Sequence, residues 1–236
     1  MVENLEGIRS HLEELSASLS QLPSVPDQVH RVLRGLILSG KLKPGDCIIE
    51  RKLARELGIG QPTAREALNA LQTEGLVVRR RNSGCYVTNL SEDEVAQVFS
   101  LRIVLEGFAA QSLAENRSQW KAEELLAAAE AIKAKARSRD VEGFYESDME
   151  FHKTLWHLTG NSFLEKMLME ITLPLFSFVM VKVVADYSFD LESAANSHQE
   201  IALAIISGDG EHAKTVITRV LGSFRKMGLD LLARSK

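Results

Sequence analysis

The sequence predicts a mainly α protein in two parts: a small N-terminal unit of short helices with one β-hairpin, and a C-terminal all-helical antiparallel bundle. Three observations carry the prediction. Residues 50–75, ERKLARELGIGQPTAREALNALQTEG, read as two short helices around a glycine turn. Residues 76–87 read as two apolar strands separated by Asn82-Ser83-Gly84, a composition that tolerates positive φ. From Glu92 onward apolar residues recur at helical spacing, and no convincing strand interrupts them.

A chain of 236 residues has room for one large domain or two small ones, and 45 % hydrophobic content lets each form a core. Charge divides the chain more sharply. Residues 24–89 carry eleven Lys or Arg against six Asp or Glu, a balance of +5. The remainder carries 17 against 26, or −9, so the overall −4 conceals a basic module on an acidic body. Such a chain grips phosphates at one end only. Cys47 and Cys85 lack metal-ligand spacing; reduced thiols of a cytoplasmic protein are the simplest reading, with pairing left open. No signal peptide is apparent. The most apolar stretch, 171–185, is broken by Pro174 and Lys182 and is too short for a bilayer, so no membrane partner is expected.

In chain order, Leu5, Ile8, Leu12, Leu15, Leu19 and Leu22 are spaced 3, 4, 3, 4, 3, one apolar seam on a helical extension over 1–23 that Pro23 ends. A helix over 24–39 follows, with Val25, Val29, Val32, Leu33, Leu36 and Ile37 inward, then a turn at Lys43-Pro44-Gly45-Asp46. The next helix runs from Glu50 to Leu57. Gly58 stands where it must stop, a position where a left-handed backbone is cheap for glycine. The following helix starts at Pro62, tolerated in a first turn, and buries Ala67, Leu68 and Leu71. Two short helices around so tight a turn are the layout of a helix-turn-helix, whose second helix enters the DNA major groove. The hairpin that follows at once, flanked by Arg79-Arg80-Arg81, makes the unit a winged helix over 24–90.

Beyond it, Ser91 is placed to cap a helix with Glu94 at the capping-box position. Helices are expected over 92–116, 118–138, 140–159, 161–186 with a bend near Pro174, 189–207 and 209–233, together forming one all-helical domain over 91–236. The breakers are Asn116, Asp140, Gly160-Asn161 and Gly208-Asp209-Gly210, and loops this short favour antiparallel neighbours.

Polar residues interrupt three of the apolar stripes. Arg102 lies on the stripe of helix 92–116, Asp148 and His152 share one face of helix 140–159 a turn apart, and His198 is central in helix 189–207. A buried guanidinium needs an anion, and a carboxylate with two imidazoles suits a divalent transition metal such as Zn, Ni or Mn. Together they sketch a polar cavity for an acidic small molecule. An internal ion pair from Arg102 to Asp148, with the histidines simply hydrogen-bonded, stands as the alternative. His11, His30, His157 and His212 have no comparable setting, and Trp120 and Trp156 read as packing residues. The absence of HExxH, a nucleophile elbow or a phosphate loop argues against an enzyme.

The stretch 29–87, with LILSGKLKPGDCI, ERKLARELGI, REALNALQTEGLV and GCYV, resembles the GntR family of bacterial winged-helix transcription regulators. SLRIVLEGFAAQSLAEN, DMEFHKTLWHLTGN and SHQEIALAIISGD extend the resemblance to its FadR-type subfamily, which carries a helical (FCD) effector-binding domain. The resemblance implies a cytoplasmic homodimer, a repressor on an imperfect-palindrome DNA operator, that senses a small carboxylate effector. Its DNA contacts would fall on Arg51, Gln61, Thr63 and Arg65, and on the wing at Arg80, Arg81, Ser83 and Gly84. Its effector site would be Arg102, Asp148, His152 and His198. Metal-binding members use one aspartate and three histidines, of which Asp148, His152 and His198 match three. Two departures matter. Gly60-Gln61 stands where the family usually has Ser-Arg, which predicts a shift from guanine toward adenine at one half-site position. Val220 stands where the fourth ligand is expected, and His212 cannot replace it, being eight residues and about 80° away on the helix.

Overall fold

Ser24 opens helix α1 (Val25–Leu38) by accepting a hydrogen bond from the Asp27 backbone N–H, with Pro26 in the first turn. The chain is seen here in a computed structural model that describes residues 24–80, 84–184 and 189–234, divided into one unit up to Asn89 and another from Leu90. The apolar seam over residues 5–22 lies outside the described residues. Helix α1 buries Val29, Val32, Leu33, Leu36 and Ile37. Val25, expected inward, is 48 % exposed because the first turn projects past the core.

The Lys43–Asp46 turn leads into a two-residue strand, β1 (Cys47–Ile48), which the sequence reading lacked. Two residues carry no periodicity; their pairing partner lies almost forty residues on. Helix α2 (Glu50–Leu57) ends at Gly58, which takes φ +64 and donates its N–H to the carbonyls of Ala54 and Arg55. Helix α3 (Gln61–Thr73) starts one residue before the expected Pro62 and packs Ala64, Ala67, Leu68 and Leu71 inward. Strands β2 (Val77–Arg80) and β3 (Gly84–Val87) pair antiparallel, with Val78 opposite Tyr86 and Arg80 opposite Gly84. Strand β1 adds to the other edge of β3, giving the order β1-β3-β2.

That register settles the cysteines. Cys47 is opposite Tyr86 on the outer face, whereas Cys85 is opposite Ile48 on the core face, so the thiols point apart and no disulfide joins them.

In the second unit, Ser91 and Glu94 form the expected capping box at the start of α4 (Glu92–Glu115). The helix expected from residue 118 begins later, as α5 (Ala122–Arg137). A 3₁₀ turn at Arg117–Gln119 precedes it, and Trp120 is extended, its indole N–H donating to the Leu113 carbonyl at 2.8 Å. Burying that indole decides the start of the helix. Asp140 caps α6 (Val141–Leu158) through the Gly143 N–H, and Asp190 caps α8 (Leu191–Ile206) through the Ser193 N–H. Between them α7 (Ser162–Val184) runs through Pro174 as one helix, and α9 (Gly210–Arg234) closes the unit. The most extensive helix pairing is α4 with α9, where a Cβ added at Gly107 would make ordinary contact with the Lys214 side chain at 3.5 Å. Helices α5, α6 and α8 form a neighbouring layer. No strand occurs among the described residues of this unit, and no described helix is long and apolar enough to cross a membrane.

Candidate functional site

Arg102, Asp148, His152 and His198 lie on α4, α6 and α8, and the bundle brings all four into one buried cluster. They face a cavity of about 470 Å³, counting its open mouth, whose other walls are aromatic and aliphatic. Asp148, His152 and His198 each offer a ligand atom within 4.8 Å of the others.

The hydrogen bonds determine which atoms are on offer. The Nδ1 of His198 lies 2.8 Å from the Ala194 carbonyl oxygen, which can only accept, so Nδ1 carries a proton. The Nδ1 of His152 lies 2.6 Å from Glu106 Oε2 and donates to it for the same reason. Both Nε2 atoms therefore turn toward Asp148, at 2.8 Å from His198 and 3.5 Å from His152. The 2.8 Å approach does not meet hydrogen-bonding angles, and both Asp148 Oδ1 and His198 Nε2 remain buried without a hydrogen-bond partner. Lone pairs converging with their far sides anchored are what a divalent cation requires, and the Glu106–His152 contact is the carboxylate that commonly stands behind a ligating imidazole. The residues present fit such an ion.

Glu106 is the residue sequence reasoning missed. It is fully buried and accepts from Arg102 Nε at 2.6 Å as well as from His152. The anion expected to be Asp148 is thus Glu106: on one helix, at i and i+4, the pair needs no tertiary accident to meet. Burial pushes the Glu106 carboxyl upward, but Arg102 and His152 outweigh it and hold it at about 2. Burial likewise opposes the charges of Asp148 and His198, yet their mutual attraction wins, lowering the carboxyl and raising the imidazole. Arg102 also sends Nη2 to within 3.4 Å of His152 Nε2 and lies over the rings of Phe99 and Phe176. Phe151 packs nearly at right angles to both imidazoles, and the Phe224 ring lies 5.7 Å from that of His198.

Val220, at the position of the missing histidine, is buried and lines a neighbouring cleft with Ser193, Ser197 and Ser223. It brings no donor atom. Tyr145 was also missed; its ring lines the cavity and its hydroxyl is buried without a partner. His157 and His212 are exposed, and His30 lies 2.7 Å from Glu74.

In the N-terminal unit Arg51, Gln61 and Arg65 are exposed and Thr63 is half-buried. Gln61 is the first residue of α3, after Gly60, which supplies no side-chain cap. Arg65 is not a free cation: Nε and Nη2 pair with both oxygens of Glu50 at 2.9–3.2 Å. Arg79 also reaches Glu50, at 3.5 Å, and donates to Asn69 at 3.0 Å, so one carboxylate ties α2, α3 and β2 together. The Arg65 hydrogen bonds hold the Glu50 carboxyl below its usual range. Arg80 lies over the Tyr86 ring at 4.7 Å. Gly84 has φ +107, with Cys47 Sγ 3.4 Å from where a Cβ would stand. Arg81 and Ser83 lie outside the described residues.

Two family models match: the bacterial regulatory proteins of the gntR family over residues 26–87, and the FCD domain over residues 97–223. A Paenarthrobacter nicotinovorans protein named as a probable D-xylose utilization operon transcriptional repressor is 28 % identical over 201 residues, 85 % of this chain and 87 % of that protein. The gluconate operon transcriptional repressor of Bacillus licheniformis is 26 % identical over 75 % of this chain and 74 % of its own. Among solved structures, E. coli McbR/YncC superposes with a TM-score of 0.67 at 18 % identity, covering 91 % of this chain and all of that one. A GntR transcriptional regulator from Rhodococcus sp. RHA1 gives 0.64 at 19 %, covering 87 % and 97 %. With a winged helix-turn-helix at one end and an FCD domain at the other, the chain belongs to the GntR family of bacterial transcriptional regulators.

Proposed function

We propose that this regulator is a ligand-responsive repressor: a homodimer that holds an imperfect-palindrome operator and releases it when a small carboxylate binds in the FCD domain. The observation that carries the sensing half is the buried cluster in which two imidazoles, their Nδ1 protons tied to Glu106 and Ala194, turn Nε2 toward Asp148. Asp148, His152 and His198 would hold one divalent metal, with coordination left open where Val220 replaces a ligand. Were His152 Nε2 to hold the metal, the Arg102 N–H that now points at it would be available to an effector carboxylate. Two relatives are named for D-xylose and gluconate operons, so a sugar-derived acid belongs among the acids to be compared. The family and its relatives are regulators and not enzymes, so binding, not turnover, is the output.

On DNA, Arg51, Arg65, Arg80 and Arg81 would supply phosphate affinity and register, with Ser83 and Gly84 at the wing tip, while Gln61 and Thr63 read bases. Glu50 must share or surrender Arg65 for this, so the contact forms by exchange of one anion for another. Effector binding then shifts DNA affinity by its preference between the free and DNA-competent arrangements.

The test is operator selection from random DNA followed by effector titration. Adenine is expected at the half-site position facing Gln61, and guanine returned there with undiminished preference refutes that assignment. Arg65→Ala should abolish operator binding with the dimer intact. Arg102→Lys, which keeps a cation beside Glu106, should leave DNA binding and weaken the ligand response.

A further inference from the structure

Resting on the sensing site proposed above, we infer that its ligand is a small monocarboxylate with an apolar body, aromatic or aliphatic, and that Tyr145 is a second hydrogen-bond donor to it. The cavity is polar on one side only. Arg102, Asp148, His152 and His198 gather at that side, whereas Phe99, Phe176, Val179, Phe189, Phe224 and Met227 make the rest of the wall. A ligand whose charge meets the polar side must lay its body on these side chains. For an apolar body this burial is favourable. For a polyhydroxylated acid, hydroxyls that lose water there find no partner, and one stranded hydroxyl suffices to weaken binding about tenfold. The serines that would suit a polyol, Ser193, Ser197 and Ser223, line the neighbouring cleft, with Phe224 and Met227 shared between the two spaces.

Tyr145 is the exception in the wall. Its side chain is 6 % exposed, its hydroxyl is buried without a partner, and the residue lines the cavity. Buried phenols are ordinarily satisfied, and an unsatisfied one in a pocket wall is a group awaiting a ligand acceptor. Burial and the nearby Asp148 charge keep it protonated, so it donates. A carboxylate has lone pairs for both the guanidinium and this phenol.

The experiment is calorimetric titration of the full-length protein, loaded with zinc, against benzoate, hexanoate and gluconate, with operator release followed in parallel. Benzoate or hexanoate should bind at least about tenfold tighter than gluconate and release operator. Tyr145→Phe should weaken the apolar acids by about two- to tenfold, the worth of one hydrogen bond, while the ligand-free melting temperature holds or rises. Arg102→Ala strands Glu106 and could unfold the bundle, so Phe176→Ala serves beside it: it should weaken benzoate without improving gluconate. Gluconate binding as tightly as benzoate, with its affinity lost in Phe176→Ala, overturns the ligand class and leaves the sensing site standing. Unchanged benzoate affinity in Tyr145→Phe removes the role given to Tyr145. Failure of all three acids to bind or to release operator overturns this inference together with the sensing reading beneath it.

Discussion

Glu106 sits fully buried between Arg102 Nε and His152 Nδ1, 2.6 Å from each, and at the scale of single residues it organises the helical unit. It neutralises a guanidinium that could not otherwise be buried and fixes the Nδ1 proton of His152. Removing one partner of such a pair leaves an uncompensated charge in a low-dielectric interior. Glu106→Ala should therefore cost about 3–5 kcal/mol in urea denaturation, and Glu106→Gln less because the amide refills the space. A loss under about 1 kcal/mol for the alanine variant would mean that Arg102 finds another anion or water. Arg102, Asp148, His152 and His198 were legible in the sequence because each interrupts an apolar stripe. Glu106 was legible in principle, four residues after Arg102 on that same stripe, but acids on helices are so often solvated that residue type alone does not single it out. Tyr145 gave no signal, since an aromatic residue at helical spacing reads as core.

At the scale of elements, caps and breakers did most of the predicting. Gly58, Ser91 and Asp140 end or start helices as their chemistry demands. Gly60 is the weak one: it caps α3 at φ −67 and ψ 146 without a side-chain hydrogen bond. Those angles admit any residue, and an added Cβ would meet nothing closer than Pro62 Cδ at 3.6 Å. Gly60→Ser should thus add a cap to the recognition helix and reduce unfolded-state freedom, stabilising by about 0.5–1 kcal/mol and raising the thermal midpoint of the winged helix. An unchanged or lower midpoint would show that the cap is not formed. Strand β1 and the late start of α5 escaped sequence reading for one reason: both are decided by partners distant in sequence or by burial of a single indole, not by local periodicity.

At the scale of the whole molecule, the winged helix-turn-helix and the FCD domain sit in separate units that meet at Asn89–Leu90. A metal held by Asp148, His152 and His198 would stabilise the sensing unit by mass action, since three ligands converge only in the folded chain. Zinc, nickel or manganese at a hundredfold excess over its dissociation constant should stabilise that unit by about 2.7 kcal/mol. Chelation should reverse the gain, and His198→Ala should abolish it while leaving the transition of the winged helix in place. No shift with any of the three ions would leave the cluster a plain polar pocket.

What the sequence determined alone was whatever is local or periodic: the helix-turn-helix, the hairpin wing, the basic and acidic halves, the helical bundle, and polar residues stranded on apolar faces. Only the tertiary structure decided that Arg102, Asp148, His152 and His198 meet, that Glu106 reaches His152 as well as Arg102, that the two cysteines face apart, and that aromatic side chains line much of the cavity. The reason is physical. Spacing along a helix tells which face a side chain occupies, but the partner across the cavity comes from another helix. That partner is selected by packing, desolvation and hydrogen bonding summed over the whole fold.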